Sequence, residues 1–436
     1  MKILFSTRNW NRVFLYLLFI CSTFSIAGTE ASISVLYLIT LIRWIWNRPL
    51  TQLENPFLWV TLFFIAATVL SGLFNSYETD NLMALRNNWR LLLPLLLAGI
   101  LTEINSERLL WTFFGFVFLI SVYGIIQYFT GADWLRPEGE KFTTPYLFGS
   151  SEGNNVYHAK GNFSHHLTYG GFLLLSFPLL VSLTFCKDWY PLTRILTALI
   201  AIFVLLGIGA SLGRSIWLGT AVAIVILMYR IYPKLILAIS IAIIAAATYF
   251  FTQLGDAPFQ NSGSLNRLEA LQQRFKSGFM LKSNRDRILM WKTGISAIKD
   301  NFWLGIGYNN DAVVMPEYRK RVSENTGHRF HNNASTGVHN IYIQTWVNYG
   351  FFGMLGYLGI FVIFFLQTTK ALLMTNNFTV ENSILWAGVS GVCGFMVAGL
   401  FENNFRDGEV QAMLLILMGL CFNQIQKLKG KIFKSL

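Results

Sequence analysis

Three residues of this 436-residue chain join reactive side chains to uncommon positions. His339 stands in Gly337-Val338-His339-Asn340, immediately before an apolar run. An imidazole, with an unperturbed pKa of about 6.5, is mostly neutral near pH 7, as a general base must be. Arg214 lies in Ala210-Ser211-Leu212-Gly213-Arg214-Ser215, a very short connection between two apolar runs. A charge pinned at a membrane boundary is expensive and calls for a partner or a task. Arg287 lies in Asn284-Arg285-Asp286-Arg287, at the start of a predicted helix whose free N–H groups and dipole already favour an anion. Guanidinium forks bind phosphate oxygens bidentately, so two of them suit a pyrophosphate. Each residue also has a plainer reading: snorkelling or a structural ion pair for the arginines, a helix cap or surface position for the histidine.

Weaker candidates surround these three. Arg86 and Arg90 precede an apolar run and can assist a lipid phosphate or anchor the chain at the interface. His165 and His166 can line an acceptor cleft. His328, His331 and His339 have no nearby acidic or cysteine partner, so no metal site is assigned to them. There is no Asp-x-Asp pair, and Glu78-Thr79-Asp80 is the nearest substitute for a metal-dependent site. Gly350, Gly353, Gly356 and Gly359 step at three residues, which close helix packing explains best.

The elements that must position these side chains are membrane spans. Hydrophobic residues make up 54% of the chain and charged ones only 13%, whereas a soluble domain carries roughly a quarter charged. The net charge of +12 is spread between apolar runs instead of gathered in a soluble domain, which argues against a nucleic-acid partner. Cys21, Cys186, Cys393 and Cys421 show no paired spacing and read as small apolar side chains. A span needs roughly 20 apolar residues. Candidates run at 13–28, 31–46, 57–74, 89–102, 109–129, 167–186, 194–210, 215–229, 233–251, 341–366, 384–401 and 409–424, so the expectation is an all-α membrane domain of about twelve helices over 1–436. The fourth and eighth are short. With that count, the N-terminus, Arg43, Arg48, Arg194, Arg230, Lys234 and the C-terminal Lys427, Lys429, Lys431 and Lys434 share one side, which the positive-inside rule makes the cytoplasm. Segments 130–166 and 252–340 then face outward.

The long outer segment carries about twelve arginines and lysines against about seven acids, a bias that suits an anionic ligand or anionic headgroups. Leu265, Leu268, Leu271, Phe275 and Phe279 predict an amphipathic surface helix. A second helix is predicted from Asn284, with Ile288, Trp291, Ile295 and Ile298 on one face, broken by Asp300-Asn301 and by Gly305 and Gly307. Residues 309–338 read as polar and irregular.

His339-Asn340, nine residues, Gly350, two residues and Gly353 resemble the signature of the O-antigen ligase and polymerase superfamily, which includes bacterial protein O-oligosaccharyltransferases. Gly161-Asn162-Phe163-Ser164-His165-His166-Leu167, Ser211-Leu212-Gly213-Arg214, Arg287 four residues before Trp291, Phe302-Trp303-Leu304-Gly305-Ile306-Gly307 and Phe401-Glu402-Asn403-Asn404-Phe405 follow in the order the family shows. The resemblance covers most of 160–408, and the order is more specific than any one piece. It implies a bacterial inner-membrane enzyme with its active site on the periplasmic face, among membrane lipids. It also implies an undecaprenyl-pyrophosphate-linked glycan donor and neither nucleotide sugar, metal nor cofactor. Arg214 and Arg287 would hold the pyrophosphate, with Arg285, Arg86, Arg90, His165, His166 and Asn340 completing the substrate contacts. His339 would take the proton of the attacking hydroxyl, with inversion at the anomeric carbon.

Within that resemblance the favoured reading is a ligase that joins O-polysaccharide to lipid A–core. A polymerase would use a second lipid-linked repeat as acceptor, and a protein-glycosylating relative is a third reading. A transporter or lipid-linked glycan flippase is the alternative from another class. It should place ionisable residues in mid-membrane and show repeated halves, whereas here the spans are almost free of charge.

Overall fold

Runs of apolar residues in lipid have one economical form, the helix, because it satisfies every backbone N–H and C=O within the segment. The computed structural model describes residues 7–47, 54–74, 85, 88–103, 106–135, 145–146, 156–234, 282–327, 330 and 337–435. Its helices are α1 (Thr7–Cys21), α2 (Ile26–Asn47), α3 (Pro56–Phe74), α4 (Leu93–Ile100, entered through a 3₁₀ turn at Trp89–Leu92), α5 (Ser106–Thr130), α6 (His166–Thr184) and α7 (Pro191–Ala210). Then follow α8 (Arg214–Ile231), α9 (Lys282–Asp300), α10 (Asp311–Thr326), α11 (Ile341–Leu372), α12 (Val380–Ala398) and α13 (Gly408–Ser435). Among the described residues nine are long and apolar enough to cross a membrane: α2, α3, α5 to α8 and α11 to α13. The chain is an all-α, multi-pass membrane protein. The first expected span appears as the 15-residue α1 and the fourth as the short stretch Trp89–Ile100. The ninth, 233–251, lies outside the described residues from 235 onward, as does the whole amphipathic helix expected over 265–279. One departure from pure helix is a two-residue antiparallel pair, β1 (Pro145–Tyr146) with β2 (Val156–Tyr157).

The centre of the bundle is α6 and α13, buried nearly all round, while the other spans bury one face. The α8 and α12 backbones touch: a Cβ on Gly219 would lie 2.4 Å from the Gly394 carbonyl oxygen, so only glycine allows that crossing. At one end of the bundle α6, α8, α11 and α13 begin and α7 and α12 finish. The Ala159 amide bonds the Ala210 carbonyl there, and the Ile341 amide bonds the Gly399 carbonyl. At the opposite end Arg230 donates to the hydroxyls of Ser182 (2.6 Å) and Ser383 (3.0 Å), stapling α8 to α6 and α12.

Two expectations for the segment before His339 need correction. Residues 309–338 are not irregular throughout, because α10 occupies Asp311–Thr326. Its apolar residues Val314, Met315, Tyr318 and Val322 recur at helical spacing and bury themselves against α9 and α11, a pattern obscured by the polar composition and by Pro316. Gly327, at φ +66°, closes the helix in the left-handed conformation. In α9 the buried face is Asp286, Met290, Thr293 and Ala297, and the expected Ile288 and Ile295 are exposed. The small Gly294 explains the choice, since it lets α9 approach Val338 and Ile343 closely.

Candidate active site

The segment 337–341 runs beside 399–402, and backbone chemistry sets the register. Asn340 caps α11, its Oδ1 accepting from the Ile343 amide (2.9 Å), while its Nδ2 donates to the Leu400 carbonyl (2.8 Å). This pairing brings His339 against Glu402, 63 positions later in the chain. The imidazole Nδ1 lies 3.1 Å from Glu402 Oε2, and Arg287 Nη2 pairs with Glu402 Oε1. Glu402 is buried, with its side chain 4% exposed, whereas those of Arg287 and His339 are 25% and 36% exposed. The carboxylate therefore orients two groups that open outward from it. Trp291, one turn after Arg287, packs near Phe401, and so α9 delivers the guanidinium to the carboxylate. His339 itself adopts φ +50°, a left-handed backbone that favours glycine.

Arg214 is the first residue of α8 and is exposed, three residues after Ser211. The Ser211 carbonyl lies 3.4 Å from His158 Nδ1, and the rings of His158, His166 and His165 follow one another at 4.3 and 4.2 Å. His165 caps α6, its Nδ1 accepting from the Leu167 amide at 3.2 Å. Burial lowers the His165 pKa, with Glu402 opposing and His158 and His339 adding to the shift. Burial likewise lowers the pKa of His158. These imidazoles are therefore biased toward neutral hydrogen-bonding groups. The structure thus brings Arg287 and His339 into direct contact with one carboxylate, and it sets the His165 face beside them.

Other expected site residues are placed differently. Arg90 is buried, pairs with Glu30 and donates to Gln411 Oε1 at 2.9 Å, so its guanidinium braces α2 against α13. Asn340 spends both ends of its amide on the protein's own backbone. Arg86 lies outside the described residues, and Arg285 sits in the first turn of α9 with its side chain outside them. His328, His331, Glu78 and Asp80 are also outside. Among the described residues no group of three or more His, Cys, Asp or Glu is disposed to hold a metal ion.

Glu402 is the member of this cluster that spacing alone passes over. One signal was available: a carboxylate at the end of an apolar span, within Phe401-Glu402-Asn403-Asn404-Phe405, is costly there unless paired. Asp407, five residues on, accepts from Thr168 Oγ1 at 2.8 Å, and burial pushes its carboxyl up to about 6.

Fold and site together define a multi-pass membrane protein with a carboxylate-held histidine and arginine at one end of the bundle. Residues 199–358, which include Arg214, Arg287 and His339, match the family model described as O-antigen ligase. Over that stretch the chain is similar to the O-antigen ligase family. No match to a curated protein is significant. A solved structure described as structural coordination of polymerization and crosslinking by a peptidoglycan synthase complex aligns over 85% of this chain and 98% of the other, at 16% identity. Its TM-score is 0.35.

Proposed function

We propose that this chain is an O-antigen ligase. It crosses a bacterial inner membrane about twelve times and moves undecaprenyl-pyrophosphate-linked O-polysaccharide onto lipid A–core at the periplasmic face, without a metal and with inversion. The observation that carries this reading is the pairing of His339 and Arg287 on the buried carboxylate of Glu402. A carboxylate at Nδ1 selects the tautomer with hydrogen on Nδ1, which leaves the Nε2 lone pair to accept a proton. His339 would take that proton as the acceptor hydroxyl closes on the anomeric carbon, help typically worth about 10²–10⁴-fold. Glu402 then stabilises the imidazolium. As the anomeric C–O bond breaks, its electron pair leaves with the pyrophosphate, whose charge Arg214 and Arg287 neutralise. Glu402 occupies one Nη2 contact of Arg287, and a grip on phosphate uses its other N–H groups. Arg86 and Arg285 would add positive charge on the donor side, and His165 and His166 would line the acceptor side.

The test is the lipopolysaccharide banding of a deletion strain. Core without O-polysaccharide, with polymer accumulating on the carrier lipid, is the expected result, and wild-type protein should restore the ladder. Core plus one repeat would instead mean a polymerase. His339→Gln can hydrogen-bond but cannot take the proton, so it should be expressed at the wild-type level and fail to restore the ladder. A full ladder from His339→Gln would remove the base assignment.

A further inference from the structure

A second connection reaches His339 from the other side of its backbone. The amide of Val338, the residue before it, donates to Gln344 Oε1 at 2.9 Å. The Nε2 of Gln344 donates to Asp311 Oδ1 at 2.7 Å and to Asn348 Oδ1 at 2.9 Å. Asp311 Oδ2 accepts from Arg406 Nη1 at 2.9 Å. Arg406 is anchored further by Asn309 Oδ1 (3.0 Å) and the Tyr308 hydroxyl (3.3 Å), with its guanidinium 4.8 Å from the Tyr308 ring centroid. Arg406 closes the short turn Asn404–Arg406 that directly follows Glu402 and Asn403. The path therefore returns to its origin: His339, Glu402, the 402–406 turn, Arg406, Asp311, Gln344, Val338 and back to His339.

Three properties set this circuit apart from ordinary packing. Gln344, Asp311 and Glu402 are only 1–3% exposed, so each link lost strands a buried polar group. The links come from α10, α11 and the turn after α12, so the circuit locks three elements to one another. It also ends on the amide next to a non-glycine residue at φ +50°, a conformation that persists only where the surroundings impose it. Glu402 fixes the imidazole, and Gln344 fixes the backbone that carries it.

We propose that Gln344, held by Asp311 and Arg406, is a positioning residue that keeps His339 in its left-handed, Glu402-facing conformation. This inference rests on the reading of His339 as the base. Small displacements of a reacting group cost rate more than binding.

The test uses the full-length enzyme in detergent with lipid-linked donor and lipid A–core. Gln344→Leu should lower kcat by about 10–100-fold and leave the donor KM within about twofold. Gln344→Glu guards against a misfolded leucine variant, since it is nearly isosteric. Its introduced carboxyl faces Asp311 and Arg406, with Arg319 beyond Asp311. When ionised it still accepts from Val338 but cannot donate to Asp311, and protonation restores both links. Its rate relative to wild type should therefore rise as the pH is lowered, a response that a space-filling role does not produce. Wild-type kcat in Gln344→Leu, or a Gln344→Glu ratio that is flat with pH, would overturn the positioning role. Failure of the underlying reading looks different, because His339→Gln would then turn over normally whatever Gln344 does.

Discussion

At His339 a left-handed backbone costs a residue with a Cβ about 1–2 kcal/mol, and a buried carboxylate five residues before Asp407 holds the side chain. Such local costs are tolerated at functional sites because the surroundings determine the conformation. Asp407 is a second residue held at a cost, and its effect is open to measurement. Its carboxyl keeps its proton up to about 6, against an ordinary value of 3.8, chiefly because burial penalises the charge. Glu409 and Glu402 add to that shift, whereas Thr168 and Arg406 oppose it. The contribution of this group to stability is fully present below 3.8 and is lost as the pH rises through about 6. Asp407→Asn keeps an acceptor for Thr168 and cannot ionise. In detergent it should be more stable than wild type at pH 8, by on the order of 1–2 kcal/mol, and the gap should close as the pH falls toward 4. Thermal denaturation across that range is the measurement, and a gap that is constant or reversed would place the Asp407 charge in a solvated position.

Among the elements, α11 shows how a sequence signature can be right about position and silent about cause. Gly350 suggests helix packing when read as one of four glycines three residues apart. It is instead a break in α11, at φ +66° and ψ −168°, where the chain docks on the Phe302–Gly307 loop. The Ile306 and Gly307 amides bond the Val347 and Asn348 carbonyls, and the Phe351 amide bonds the Phe302 carbonyl. A Cβ on Gly350 would stand 2.1 Å from the Trp303 carbonyl oxygen, a backbone atom that cannot step aside. Gly359 does follow the packing reading, because its Cβ would meet only the end of the Val60 side chain. Gly350→Ala should therefore destabilise the protein by about 2–5 kcal/mol, and Gly359→Ala by less than about 1.5 kcal/mol. Melting temperatures of the two variants test the difference, and equal losses would mean that the 302–307 seam is not held at Gly350. The spans were legible in the sequence because lipid demands long apolar runs, and Arg287 and His339 because charge and imidazole are rare at their ends. The α10 helix was hidden by its polar outer face and Pro316. The pairing of His339 with Glu402 depends on two segments 63 positions apart, which no local spacing encodes. The same holds for Arg90, whose partners Glu30 and Gln411 come from distant helices.

For the whole molecule, the two ends of the bundle differ in charge, and that difference predicts its orientation. The end bearing His339 carries arginines and lysines matched by carboxylates: Arg90 with Glu30, Lys160 with Asp133, Arg287 with Glu402 and Arg406 with Asp311. At the opposite end Arg230 is held by serine hydroxyls and the Phe378 ring, and Arg194 donates to the Thr184 carbonyl. Lys187, Lys234, Lys427 and Lys429 add to the basic residues of that end. Lysines and arginines beside span ends are enriched on the cytoplasmic side, so that end is predicted to be the cytoplasmic one. The described chain leaves that end at Lys234 and resumes with α9, whose Arg287 reaches Glu402 at the other end. A periplasm-active reporter fused after Gly327, between α10 and the His339 segment, should therefore be active, and the same reporter at the C-terminus should be silent. A cytoplasm-active reporter should give the reverse pattern at both positions. Opposite results at the two sites require an odd number of crossings between them, which α11, α12 and α13 provide. If both fusions report one side, then one of those three helices does not span. If both results are inverted, the His339–Glu402–Arg287 centre faces the cytoplasm, where a periplasmic acceptor cannot reach it.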